Sequence, residues 1–216
     1  FDYTRYTDST EYLYNYGIDV LVAISRFWQQ RVNWSNDKES YVILGVTGPN
    51  EYENNVNNNW YTNYIAAWCL RYTQQVLNEI KTNNPSDYNL KFVELNLSDE
   101  ELSECDKINN FMYYPFDLEN QLYMQQDGFM DKSLIPVSDL SDSEQPIHQN
   151  WSWDRILRSC YIKQADVLQG MYFFEGDFDK DTIKRHFEFY EPFTVHESSL
   201  SPCVHAILAS KLDMKD

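Results

Sequence analysis

Basic residues are scarce in this chain: 17 Lys and Arg stand against 34 Asp and Glu, for a formal net charge of −17 over 216 residues. That balance argues against a nucleic-acid partner, because phosphodiesters are held by clustered cations; the acidity serves solubility. Cysteine is also sparse. Cys69, Cys105, Cys160 and Cys203 lie far apart with no CxxC pair, and read as reduced core residues of a cytoplasmic protein. His148, His186 and His205 show no metal-ligand spacing with Cys or Asp, and HExxH, Walker and GxGxxG patterns are missing, so no metal and no nucleotide cofactor is implied. No apolar run is long enough to span a bilayer. No secretory segment gives meaning to the sequons at Asn33, Asn96 and Asn150, no sequence repeat is visible, and strands do not alternate with helices.

What is present is enough apolar sequence, 43%, for a sizeable core. A start at Phe1 and a charged run at Lys211–Asp216 suggest that the chain is a piece of a longer protein. Apolar residues recur at three- and four-residue steps from Leu13 to Trp28 after a Ser9-Thr10 cap, predicting a helix to about Val32. Tyr41–Val46 predicts a strand or extended run. A second long helix carries Tyr64, Ile65, Trp68, Tyr72, Val76 and Ile80 and stops at Asn83-Asn84-Pro85. Ser98 and Glu101 form a capping-box signature for a third. Gln121–Gly128 reads as extended, ending in an Asp-Gly turn, and Ser133 to Asn150 as a long surface loop. A fourth helix is expected through Ile156, Cys160, Ala165, Leu168 and Tyr172. A fifth follows Asp179, and a sixth opens at Ser201-Pro202 with Ser as its cap. The predicted class is all-α, built of paired helices with short extended segments in loops.

Three segments carry candidate chemistry. In Gly45–Asn63, Glu51 follows Thr47-Gly48-Pro49-Asn50, a turn that can hold a carboxyl rigidly, and Tyr52, Trp60 and Tyr61 are candidates for apolar walls that would keep it protonated. Asn54, Asn55, Asn57, Asn58 and Asn59 offer donors and acceptors suited to sugar hydroxyls. A protonated carboxyl of this kind can activate a glycosidic oxygen; by composition alone the stretch is an ordinary solvated turn. The second segment, His196–Pro202, stands at an expected helix start, where free N–H groups, a histidine and three hydroxyls suit an anion such as phosphate. In the third, Lys163-Gln164-Ala165-Asp166, charge interrupts an expected apolar helix, either as an exposed face or as groups reaching a sugar cavity.

Read together as GPNEY, KQAD and HESSLSP, in this order across almost the whole chain, these segments resemble the inverting disaccharide phosphorylases of glycoside hydrolase family 65. The resemblance implies the later half of an (α/α)6 barrel, with the N-terminal β-sandwich, the early barrel helices and the C-terminal β-domain outside this chain, and hence no turnover by residues 1–216 alone. It implies that Glu51 protonates the glycosidic oxygen while inorganic phosphate, a co-substrate rather than a cofactor, attacks the anomeric carbon. Lys163 and Gln164 carry over as glucosyl-site contacts, and His196, Ser198 and Ser199 as phosphate contacts. The wording around Glu51 favours maltose as the disaccharide, giving β-glucose 1-phosphate and glucose, with trehalose and kojibiose as alternatives and a homodimer as the assembly. Asn50 and Glu53 depart from the commoner Asp and His, which bears on linkage specificity. A family hydrolase such as an acid trehalase is the rival enzyme, for which Glu197 would be the second carboxylate. A non-catalytic sugar-binding domain is the rival outside enzymes.

Overall fold

The apolar steps after Ser9 do fall on one helical rod, which builds the first of two units, Phe1–Val42 with Ile65–Tyr113. The computed structural model describes residues 1–214; Lys215 and Asp216, the end of the charged run noted above, lie outside the described residues. A short helix α1 (Asp2–Thr7), not expected from the sequence, precedes the rod. The rod itself is α2 (Thr10–Tyr12), a π-helical turn over Leu13–Gly17, and α3 (Ile18–Arg31). Ser9 stands at the expected cap position, but its side chain makes no capping hydrogen bond. Two short strands follow, β1 (Asn33–Ser35) antiparallel to β2 (Ser40–Val42), so the extended run at Tyr41 ends as a strand earlier than expected.

Most of α4 (Trp60–Asn83) lies in this unit, followed by α5 (Pro85–Glu94) and α6 (Asp99–Asn110). Asn84-Pro85 stops α4 as expected and also starts α5, because Asn84 accepts from the Asp87 N–H and Pro85 needs no partner in a first turn. The sequence reading missed α5, whose Leu90 and Val93 are exposed and mark no core face. Ser98 caps α6 by accepting the Glu101 N–H at 3.1 Å, but the Glu101 carboxylate turns to the Arg26 guanidinium at 2.7 and 3.0 Å instead of closing the box. Leu13, Ile18, Val22, Val76 and Ile80 form the apolar centre, each such burial contributing roughly 1.5–3 kcal/mol. A Ser25–Thr73 hydrogen bond of 2.8 Å satisfies the polar groups buried with them.

The second unit, Ile43–Tyr64 with Tyr114–Asp216, is made more of turns than of rods. It takes in the first turn of α4, a hairpin of β3 (Phe116–Asp117) and β4 (Leu122–Tyr123), and the helices α7 (Ile147–Asn150), α8 (Trp153–Leu157), α9 (Val167–Phe173), α10 (Lys180–Tyr190) and α11 (Ser201–Lys211). The expected surface loop before Asn150 is broken by 3₁₀ turns and by α7, whose Ile147 is fully buried. The expected helix through Ile156 to Tyr172 is two helices. Between them Ile162 donates to the Phe193 carbonyl at 2.9 Å and accepts from the Val195 N–H at 2.9 Å, so Cys160, Tyr161 and Ile162 are buried in succession on a bridged segment. KQAD therefore lies in a loop before α9, not inside a helix.

Asp179 caps α10 by accepting the Thr182 N–H at 2.7 Å. Pro202 opens α11, but Ser201 is its first helical residue rather than its cap. Gly170 lets α9 approach the Trp60 ring, since a β-carbon there would come within 2.6 Å of it. Of the cysteines, all free, Cys105 and Cys160 are buried as expected, Cys69 is half-buried, and Cys203 is exposed and not a core residue. Helix dominates as predicted, and the class is all-α. Among the described residues no helix is long and apolar enough to cross a membrane.

Candidate active site

The Glu51 loop is held by its own amides. Val46 and Val56 exchange both backbone hydrogen bonds at 2.9 Å, closing the loop at its base. The Asn57 side chain accepts from the Gly45 N–H at 3.1 Å. Asn58 accepts from the Ile43 N–H at 3.1 Å and donates to Asp127 at 2.7 Å. Asn59 caps α4 by accepting from Thr62 and donates to the Asp166 carboxylate at 3.0 and 3.2 Å. Of the five asparagines, at most two or three of which are expected to face a sugar, Asn57, Asn58 and Asn59 spend hydrogen bonds on the fold, and Asn54 and Asn55 are exposed.

Asp166 is the hub of this arrangement. It is buried, and its carboxylate takes the Asn50 backbone N–H at 3.0 Å as well as the Asn59 amide. Burial pushes its pKa up to about 7, against the opposing pull of those two donors. Gly48 is required beside it: a β-carbon there would meet the Asn59 amide nitrogen at 2.3 Å and an Asp166 oxygen at 2.5 Å. The Asn50 side-chain oxygen accepts from the Tyr52 and Lys163 N–H groups at 3.2 and 2.9 Å, and Gln164 donates to the Pro49 carbonyl at 2.8 Å. GPNEY and KQAD are consequently laced together by three hydrogen bonds, and the Lys163 ammonium closes the set with an ion pair to Glu51.

Glu51 itself is 57% exposed and Lys163 27%. Of the expected apolar walls, Tyr52 and Trp60 are buried in the core, Trp60 against Tyr64 and Tyr123, and Tyr61 is half-buried beside Phe173. Glu53, one of the departures noted in the sequence, is buried in an ion pair with Lys132. Lys132 also donates to the Ser159 carbonyl at 2.8 Å, and burial lowers its pKa to about 8.

The third segment joins the first through Tyr52, whose hydroxyl donates to Glu197. Glu197 also accepts from the Ile147 N–H at 2.5 Å, the His148 N–H at 3.2 Å and the His148 ring at 2.5 Å. Burial alone would raise its pKa, but these donors outweigh it and hold the carboxylate low. Four donors thus converge on this carboxylate, three on Oε2 and one on Oε1.

His196, at φ 52°, has both ring nitrogens engaged, with Ser201 Oγ at 2.9 Å and Glu191 at 3.2 Å; Glu191 also binds His205. Glu191, His196 and His205 bring potential ligand atoms within 4.8 Å of one another, yet here the carboxylate serves as a clamp for two imidazoles. Burial opposes ionisation of Glu191, but the two histidines draw it down to about 2. Ser198 anchors the turn by accepting from the Leu200 N–H at 3.3 Å, and Ser199 is exposed. His186 accepts from the Tyr123 N–H at 2.7 Å, and burial lowers its pKa to about 4. Sequence reasoning missed Asp166, Asn59 and the Tyr52–Glu197 bond. For Asp166 a signal existed: an acid directly before the apolar pair Val167-Leu168 marks a helix start, not a helix interior.

The site therefore presents one exposed carboxylate, Glu51, paired with Lys163 beside Gln164, on polar loops of an all-α domain. Residues 1–216 match the Glycosyl hydrolase family 65 central catalytic domain, and the chain belongs to that family. It is 55% identical to maltose phosphorylase of Bacillus subtilis (strain 168) over 215 residues, covering 100% of this chain and 28% of that protein. It is 36% identical to an alpha,alpha-trehalose phosphorylase of Thermoanaerobacter brockii, over 99% of this chain and 28% of that protein. A solved structure described as a putative kojibiose phosphorylase from human microbiome superposes with a TM-score of 0.86 at 35% identity, over 95% of this chain and 27% of that one. The chain thus spans a little over a quarter of the length of these relatives.

Proposed function

We propose that this chain is the later half of the (α/α)6 catalytic barrel of an inverting disaccharide phosphorylase that cleaves an α-glucoside, with maltose as the substrate. The observation that carries the reading is the lacing of three segments in one unit: Lys163 on Glu51, Asn50 on Lys163 and Asp166, and Tyr52 on Glu197, next to Ser198 and Ser199. The 55% identity to a maltose phosphorylase supports the choice of sugar.

In this reading a glucosyl unit settles over the Glu51 loop and draws the Lys163 ammonium and the Gln164 amide onto its hydroxyls. Water is excluded and the Glu51 ion pair is broken, conditions under which a carboxyl keeps its proton. Phosphate, held by Ser198 and Ser199 on the segment that His196 braces, attacks the anomeric carbon with one oxygen lone pair. The bond from the anomeric carbon to the glycosidic oxygen breaks as Glu51 delivers its proton to that glycosidic oxygen, glucose leaves, and configuration inverts to β-glucose 1-phosphate. Phosphate is already a nucleophile at neutral pH, so no second carboxylate is needed; an inverting hydrolase would need one about 6.5–9.5 Å away to activate water.

Glu51→Gln in the full-length enzyme keeps shape and hydrogen bonding but has no proton to give. Phosphorolysis of maltose should fall by on the order of a hundredfold or more. Wild-type rates in that variant would reject Glu51 as the acid, and cleavage at full rate without phosphate would reject phosphorolysis. Anomer-resolved NMR of the products checks inversion.

A further inference from the structure

We infer that Asp166 is the positioning residue of the acid loop: its carboxylate, gripping the Asn50 N–H and the Asn59 amide beneath Gly48, sets where Glu51 stands. The inference rests on the reading of Glu51 as general acid. It begins from a misplaced cap. Asp166 occupies the N-cap position of α9, where an aspartate ordinarily accepts an N–H of its own helix and contributes about 1 kcal/mol, yet it makes no such bond. Its oxygens reach across 116 residues of sequence to Asn50 and 107 to Asn59. Burying a carboxylate is costly without such donors, and no ion pair to it is present among the described residues.

What Asp166 holds is the peptide one residue before Glu51. The Asn50 N–H is fixed by Asp166 and the Asn50 side chain by the Tyr52 and Lys163 N–H groups, so the backbone leading into Glu51 is held at both ends of Asn50. Gly48 makes the grip close, since any β-carbon would push the Asp166 oxygen away. Asp166 touches no reacting atom. Its contribution is the placement of a proton donor, for which an error near 1 Å costs on the order of a hundredfold in rate.

The test uses the full-length enzyme and exchanges the two partners. Asp166→Asn sets an amide nitrogen against the Asn59 amide and weakens the grip; Asn59→Asp with Asp166→Asn restores a donor and an acceptor in reverse order, and an aspartate at 59 still caps α4. The single variant should lose kcat by on the order of a hundredfold with KM for maltose within about threefold, because sugar contacts at Lys163 and Gln164 remain. The exchange should recover at least about tenfold of the lost kcat. Unchanged kcat in Asp166→Asn overturns the proposal, as does an exchange that restores the thermal midpoint without kcat, or unfolding of both variants, either of which would make Asp166 a structural residue only. Glu51→Gln assayed beside them separates the two readings: if it stays active, the general-acid reading fails irrespective of Asp166.

Discussion

The two units bury polar groups for different ends. In Phe1–Val42 with Ile65–Tyr113, the buried Ser25–Thr73 bond sits among aliphatic side chains on long helices, and the Arg26–Glu101 pair links α3 to the start of α6. Those bonds fasten helices. In Ile43–Tyr64 with Tyr114–Asp216, Asp166, Asn59, Asn50, Glu53 and Glu197 are held within loops, bound to backbone groups and to one another. Those bonds shape segments that carry reactive side chains. The contrast teaches that burial of a polar group signals a site only when its partner is a loop that presents something to solvent.

Three measurements on the full-length protein would break or sharpen that contrast. Ile80→Ala, in the first unit, should lower stability by about 2–5 kcal/mol through the cavity it leaves, while kcat per folded molecule stays at the wild-type value. A proportional fall in kcat would erase the division of labour. Tyr52→Phe, in the second, should cost about 1.5–3 kcal/mol because a hydrogen bond to a charged group is lost. Its sharper mark is kinetic: KM for phosphate should rise more than KM for maltose, since Glu197 adjoins Ser198. Equal rises in the two would separate this clamp from the phosphate segment.

The smallest effect concerns acid. Glu191 titrates near 2 in the folded chain, below the ordinary value of 4.5. Its contribution is therefore fully present above about pH 4.5 and is lost as pH falls through about 2. Glu191→Gln should flatten the decline of the unfolding midpoint below pH 4.5; an unchanged slope would mean that His196 and His205 do not need the carboxylate.

Legibility in the sequence turned on whether an element is set by its own periodicity or by contacts between distant positions. The rod after Thr10, α4, α6 and α10 could be read because their apolar residues return every three or four positions. Glu51, Lys163 and Ser198 stood out because short motifs in one order are specific. What could not be read was set by contacts between distant positions. Cys160-Tyr161-Ile162 continued a helical pattern, but the Ile162 backbone bonds to Phe193 and Val195, which periodicity cannot see. The asparagines of the Glu51 loop looked like sugar ligands because their amides are equally fit to bind a backbone. Asp166 was hidden by its neighbours Lys163 and Gln164, whose motif drew attention to the wrong end.

Gly48 carries a consequence for descent. Because its missing side chain makes room for both Asn59 and Asp166, a side chain at 48 is admissible only if one of those two gives way. In related chains a residue other than glycine at 48 should therefore come with a shorter side chain at 59 or 166.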